Sequence, residues 1–237
     1  MARAPKRPVL LLPGSAPSFP NPVGFDAEGL IAFGGDLSPE RLLAGYANGV
    51  FPWYSEDQVP LWWSPDPRAL LSPAKLHISR SMQKVLRRGE FSLTWNRCFA
   101  RVMSECGKER EGGTWVTQEM LVAYLQLHRL GHAHSLEVWV DGELAGGVYG
   151  VQLGALFAAE SMFHRRTNMS KVALVALLRS LFANGIELLD VQFVTAHLAS
   201  LGAFEVPRTE YLRRVRLASK QSVSLLALVP DLSSVAP

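Results

Sequence analysis

The chain has 237 residues, a formal net charge of +3 and 48% apolar residues. That apolar share excludes a disordered polyelectrolyte and is enough for one large core or two smaller ones. No apolar run approaches the roughly 18 residues that a membrane-spanning helix needs, so no membrane association is expected.

The first thirty residues read as loop, punctuated by Pro13-Gly14, Pro17, Pro20 and Pro22. The apolar piece Val9 to Leu12 is too short for the apolar region of a secretory leader. Cys98 and Cys106 fall about 12 Å apart along a predicted helix, too far for a disulfide. A cytosolic protein is therefore expected, and no Cys/His spacing resembles a metal site. Residues 38–48 predict a helix, with Ser38 as cap, Pro39 at its first position and Gly49 as its stop. An aromatic and proline cluster follows, Phe51-Pro52-Trp53-Tyr54 and Leu61-Trp62-Trp63-Ser64-Pro65-Asp66-Pro67-Arg68. Its prolines mark a domain boundary, giving units 1–66 and 67–237, with Trp62 and Trp63 at the interface between them.

Residues 79–89 predict a short helix between Ser79 and Gly89. Met82, Val85 and Leu86 make its apolar face, and Arg80, Lys84, Arg87 and Arg88 make a basic stripe without an acid. Such a stripe suits a phosphate backbone, although a solvated helix face has the same pattern. A strand is expected at 91–94, and helices at 96–106 and 117–130. A three-strand meander follows at 135–140, 143–152 and 155–163, its first turn being Asp141-Gly142. Residues 170–184 predict a helix and 186–193 a strand.

That last strand and the one ending Glu160-Ser161-Met162-Phe163 carry polar groups that a buried strand excludes. Alternation puts Asp190 and Gln192 side by side on one face, with Leu189, Val191 and Phe193 on the other. A buried carboxylate needs a partner. A cationic substrate is one candidate, and an ion pair with Arg165 or Arg208 is another. For Glu160 the structural alternative is an ion pair with a nearby arginine.

Three antiparallel strands, a helix and a further strand match the core order of the GCN5-related N-acetyltransferases. The loop His164-Arg165-Arg166-Thr167-Asn168-Met169 lacks the glycines that let a backbone approach phosphate, so coenzyme A is not expected. From Phe19 to Arg214 the chain resembles the bacterial leucyl/phenylalanyl-tRNA–protein transferases. The resemblance rests on many motifs in order. They include Gly34-Gly35-Asp36-Leu37-Ser38, Phe51 to Tyr54, Trp62 to Arg68, Thr114-Trp115-Val116, Ala133 to Glu137, Gly146 to Gly150, Glu160 to Phe163, Asp190-Val191-Gln192 and Thr195 to Ala203.

The resemblance implies an α+β architecture: a small N-terminal α/β domain followed by an acetyltransferase-like catalytic domain. It implies that Leu or Phe moves from charged tRNA, with Met-tRNA as a further donor, to proteins beginning with Arg or Lys. This marks them for N-end rule degradation. The enzyme would be a cytoplasmic monomer without cofactor or metal. Asp190, Gln192 and Glu160 correspond to the catalytic groups. Val148, Phe157, Leu174, Leu177, Leu181 and Leu189 correspond to the aminoacyl pocket, Trp53 and Trp115 to the contacts with the tRNA 3′ end. Two rival readings are an acyl-CoA-dependent N-acyltransferase, disfavoured by the glycine-free loop, and an RNA-binding protein without chemistry, disfavoured by Asp190 and Gln192.

Overall fold

The computed structural model describes residues 4–108, 116–230 and 232. The first part of the chain builds a four-stranded sheet from β1 (Val9–Leu11), β2 (Leu30–Gly34), β3 (Phe51–Pro52) and β4 (Leu61–Trp63), in the order β1-β2-β4-β3. Helix α1 (Pro39–Ala47) joins β2 to β3, and Ser38 Oγ accepts a hydrogen bond from the Arg41 N–H as the caps predict. These strands are short and carry little alternation, which is why a loop-rich reading of residues 1–30 missed β1.

The rest of the chain forms a seven-stranded sheet, flanked by helices. In chain order come β5 (Arg68–Leu71), a 3-10 turn (Pro73–Lys75), α2 (Arg80–Arg88), β6 (Ser92–Trp95), α3 (Phe99–Cys106) and α4 (Gln118–Arg129). Then come β7 (Ala133–Val140), β8 (Glu143–Leu153), β9 (Leu156–His164), α5 (Met169–Ala183) and β10 (Leu188–Gln192). The chain continues into α6 (Ala196–Ala199), β11 (Phe204–Val206) and α7 (Arg208–Ala218). The sheet order is β11-β5-β10-β9-β8-β7-β6. Strands β7 to β9 form the expected antiparallel meander, β6 adds antiparallel to β7 at its edge, α5 crosses over, and β10 returns parallel to β9. At the β7–β8 turn both Asp141 and Gly142 have positive φ, the geometry a type I′ hairpin requires.

Strands β5 and β11 were not expected from the sequence. Both are three or four residues long and acquire their partners, β10 and β5, only from remote parts of the chain. Their addition sets Arg68 directly beside β10.

Helix α5 is apolar on nearly every side and runs through the main core, with Val172, Leu174, Val175, Leu177, Leu178 and Leu181 all buried. A second core joins the two sheets. Ile31, Leu42 and Trp62 from the small sheet's side pack in one cluster with Val102, Tyr124 and Tyr149. Trp62 is fully buried there, and its indole N–H donates to the Gly34 carbonyl at 3.0 Å. The motif Ala133 to Glu137 is structural: buried Glu137 accepts from the Thr94 and Ser135 hydroxyls and from the Arg97 and Cys98 N–H groups, tying the start of α3 to the sheet. No helix among the described residues is long and apolar enough to cross a membrane.

Candidate active site

The cleft arises where β9 and β10 part. The two strands pair only from Leu188↔Leu156 to Asp190↔Ala158, while β9 runs on to His164. Between the diverging strands opens a cavity of about 860 Å³. Its walls are Glu160, Ser161, Met162 and Phe163 from β9, and Val191, Gln192 and Phe193 from the end of β10. Phe51, Pro52 and Trp53 of the small sheet close one side, so both sheets contribute to the site. Glu105, Lys108 and Arg165 border it as well, with the Glu105 carboxylate held by both cations. These contacts hold that carboxyl below the ordinary carboxylate range.

Asp190 and Gln192 do not share a strand face in the simple way that alternation implies. The ladder with β5 shifts register between them, and Gln192 adopts a left-handed backbone with φ of 57°. In this bulge the Gln192 N–H donates to Asp190 Oδ1 at 3.0 Å. The two side chains consequently separate in role. The Asp190 carboxylate is fully buried, with Arg68 Nε at 2.8 Å, Arg68 Nη2 at 2.6 Å and the Tyr211 hydroxyl at 2.8 Å. Arg68 is equally buried, lies between the Phe51 and Tyr211 rings at 4.6 and 4.4 Å, and also donates to the Gly49 carbonyl. Neither Arg165 nor Arg208 is the partner: Arg165 bonds Glu105, and Arg208 reaches the carbonyls of Pro22, Phe25 and Asp26. The compensation Asp190 requires is thus internal, supplied by a strand that the sequence reading had not recognised.

Gln192 presents the opposite case. Its side chain is buried on the cleft wall, and its Nε2 has no hydrogen-bond partner among the described residues. A buried donor without a partner costs about 1–3 kcal/mol, so such a group is expected where a ligand completes it.

Glu160 forms no ion pair among the described residues. Its Oε1 accepts from the Tyr46 hydroxyl at 2.8 Å, and the Tyr124 hydroxyl lies 3.5 Å from Oε2 and 2.7 Å from that of Tyr46. Burial pushes its carboxyl up to about 8; the tyrosine hydrogen bonds and Arg68 oppose the rise, and the Asp190 charge adds to it. Between the ordinary value of 4.5 and about 8 the folded protein therefore holds a proton that the unfolded chain has released. Its stability falls as pH rises through that window. Glu160→Gln, which cannot ionise, should melt with the wild type near pH 4 and above it near pH 9. A melting difference independent of pH would show that Glu160 ionises normally.

The remaining site expectations divide. Trp53 stands at the cleft, 45% exposed, edge-on to Trp63 and tilted against Phe193. Trp115 lies outside the described residues. Of the six pocket residues, only Val148 lines the cavity. Phe157, Leu174, Leu177, Leu181 and Leu189 are buried in the core behind it. The apolar lining beside Val148 includes Ala159, Val191 and Leu198. The stripe Arg80, Lys84, Arg87 and Arg88 is exposed on α2 while Met82 is buried beneath it, as the periodicity predicts. Arg68, Tyr46, Tyr124 and Tyr211 were missed. Arg68 stood in a motif noted for its prolines, and the tyrosines looked like ordinary core residues.

The family model of the leucyl/phenylalanyl-tRNA protein transferases matches residues 70–216, and the model of their N-terminal domain matches residues 35–66. A leucyl/phenylalanyl-tRNA–protein transferase of Anaeromyxobacter dehalogenans (strain 2CP-C) is 51% identical over 217 residues, 90% of this chain and 93% of that protein. One of Shigella dysenteriae serotype 1 (strain Sd197) is 51% identical over 197 residues, 82% of this chain and 84% of that protein. Among solved structures, a ribosomal-protein-alanine N-acetyltransferase of Brucella melitensis biovar Abortus 2308 is 15% identical with a TM-score of 0.33, over 62% of this chain and 97% of that one. With half the residues identical along nearly the full length and both family models matched in order, the chain belongs to the leucyl/phenylalanyl-tRNA–protein transferase family.

Proposed function

We propose that the protein transfers Leu or Phe from charged tRNA to the N-terminal α-amine of proteins beginning with Arg or Lys, acting in the cytoplasm as a monomer. Met-tRNA would be a further donor. The catalytic unit is proposed to begin near residue 67, with the small N-terminal domain supplying one wall of the cleft. The observation that carries this reading is the buried, unpartnered Gln192 amide in a cleft that also presents a proton-holding carboxyl.

In the reaction the amine nitrogen attacks the ester carbonyl, the new C–N bond forms, and the bond to the 3′-oxygen of the ribose breaks. The proton lost by the amine goes to that oxygen. The ester is already activated, so holding amine and ester together supplies much of the acceleration. Gln192 donates from Nε2 to the ester oxygen as it gains charge. Glu160, at about 8, is matched to an α-amine whose ordinary value is about 7.7–8.0, so its ionised fraction, roughly a tenth at pH 7, can take a proton from the incoming ammonium. Asp190 is a positioning residue: paired with Arg68, it holds the bulge that aims Gln192.

The donor side chain would occupy the apolar lining around Val148, with Phe157, Leu174, Leu177, Leu181 and Leu189 setting the depth of that slot from behind. Trp53 would stack the terminal base, worth about 1–3 kcal/mol, and Trp115 would serve the same 3′ end. The α2 stripe would hold the tRNA backbone.

The test is transfer of labelled Leu from tRNA to peptides beginning with Arg, Lys or Ala. Label on the Arg and Lys peptides only is the expected result, and label on none, or on all three equally, would overturn the reading. Run across a salt series, the same protein with Arg80, Lys84 and Arg87 changed to Ala should bind tRNA with a log–log salt slope flattened by roughly 0.7–0.9 per lost phosphate contact. An unchanged slope would make the stripe a solvated face.

A further inference from the structure

His197 opens into the cleft from the start of α6, five residues beyond Gln192, and takes no part in the chemistry set out above. Its Nε2 is buried without a hydrogen-bond partner among the described residues. The cleft therefore holds two orphaned side-chain nitrogens, those of Gln192 and His197. One reacting carbonyl accounts for the first only.

The surroundings restrict what His197 can bind. Lys171 at the start of α5 and His164 at the end of β9 are the charged and titratable groups that act on it, and His164 Nδ1 lies 3.3 Å from the Ser170 hydroxyl. Burial, with Lys171 and His164 adding to it, holds the imidazole below its ordinary value of 6.5. It is thus neutral at pH 7. A cationic acceptor side chain would be repelled by Lys171, and a phosphate would call for a charged imidazole. A neutral nitrogen is best met by a neutral hydroxyl, which both donates and accepts and so suits either tautomer. An aminoacyl ester of a terminal ribose brings one such group beside the reacting bond: the hydroxyl on the adjacent carbon.

We propose that His197 is a donor-binding residue whose Nε2 hydrogen-bonds the 2′-hydroxyl of the 3′-terminal ribose, orienting the neighbouring 3′-ester toward Gln192. This rests on the aminoacyl-transfer reading and adds to it the group of the tRNA that is recognised. It requires the amino acid to be carried on the 3′-oxygen, with the 2′-hydroxyl free.

The experiment compares Leu-tRNA ending in adenosine with Leu-tRNA ending in 2′-deoxyadenosine. Loss of one such hydrogen bond should lower kcat/KM of the wild type about tenfold on the deoxy donor. His197→Ala should show that tenfold loss on the ordinary donor and little further loss on the deoxy donor. His197→Gln places a side-chain nitrogen at a similar reach and should keep the preference for the 2′-hydroxyl. It serves also if His197→Ala does not fold. The proposal is overturned if the wild type does not distinguish the donors, if His197→Ala retains the full discrimination, or if His197→Gln has lost it. No transfer by the wild type from the ordinary donor would instead bring down the aminoacyl-transfer reading itself.

Discussion

Arg68→Met is expected to lower the free energy of unfolding by about 3–5 kcal/mol, the range found when one member of a buried ion pair is removed. Asp190 would be left with its charge buried at 0% exposure and only Tyr211 and a backbone N–H to answer it. The converse change, Asp190→Ala, strands the guanidinium between Phe51 and Tyr211 and should cost a comparable amount. The double variant Arg68→Met/Asp190→Leu removes both charges. It should recover most of the lost stability, because a buried ion pair is often no better than an apolar pair of similar size. Its transfer activity should stay low, since the carboxylate that shapes the Gln192 bulge is gone. Urea unfolding of the three proteins measures this. A loss below about 1 kcal/mol for Arg68→Met would mean that water reaches the pair and that Asp190 is available to a substrate. Added salt should leave the effect intact, because a desolvated pair is screened far less than a surface one.

Gln192→Ala is expected to lower kcat by about a hundredfold or more, the scale reported for loss of one donor to a developing oxyanion. Stability should hold or rise slightly, since the change removes a buried donor that the folded protein itself leaves unpartnered. Peptide KM should stay close to the wild-type value, because the lost interaction belongs to the transition state. Gln192→Glu keeps the shape but replaces the donor with a carboxylate near Asp190 and Glu160, and should be worse still. Kinetics and melting temperature together decide the matter. If activity and melting temperature fall in step, Gln192 is a packing residue and its open nitrogen has no role. Because the backbone there is left-handed at φ 57°, the same position stores local strain, which is commonest at functional sites.

The contrast between these two residues shows where sequence reading stopped. Asp190 and Gln192 were singled out as an anomalous polar pair on a buried strand, and both are indeed buried. Alternation then assigned them one shared face. The bulge separates them, and no periodic rule predicts a bulge, because it depends on how β5 pairs with β10. The exposure of the basic stripe, by contrast, follows from spacing alone, since an exposed helix face is a local property.

What the sequence determined by itself was the set of elements whose stabilising signals are local. These are the capped helices α1 and α2, the Asp141-Gly142 hairpin, the meander, the apolar α5 and the polar residues on β9 and β10. The motifs, read in order, also pointed to the family to which the chain belongs. The tertiary structure alone decided which groups meet. It brought Arg68 to Asp190 across 122 residues of sequence, and Tyr46 to Glu160 across 114. It buried five of the six expected pocket residues behind the cleft and left two nitrogens open within it. The physical reason is that capping, turn and periodicity energies act within a few residues. Charge compensation and burial depend on distances in space, which exist only once the remote strands have paired.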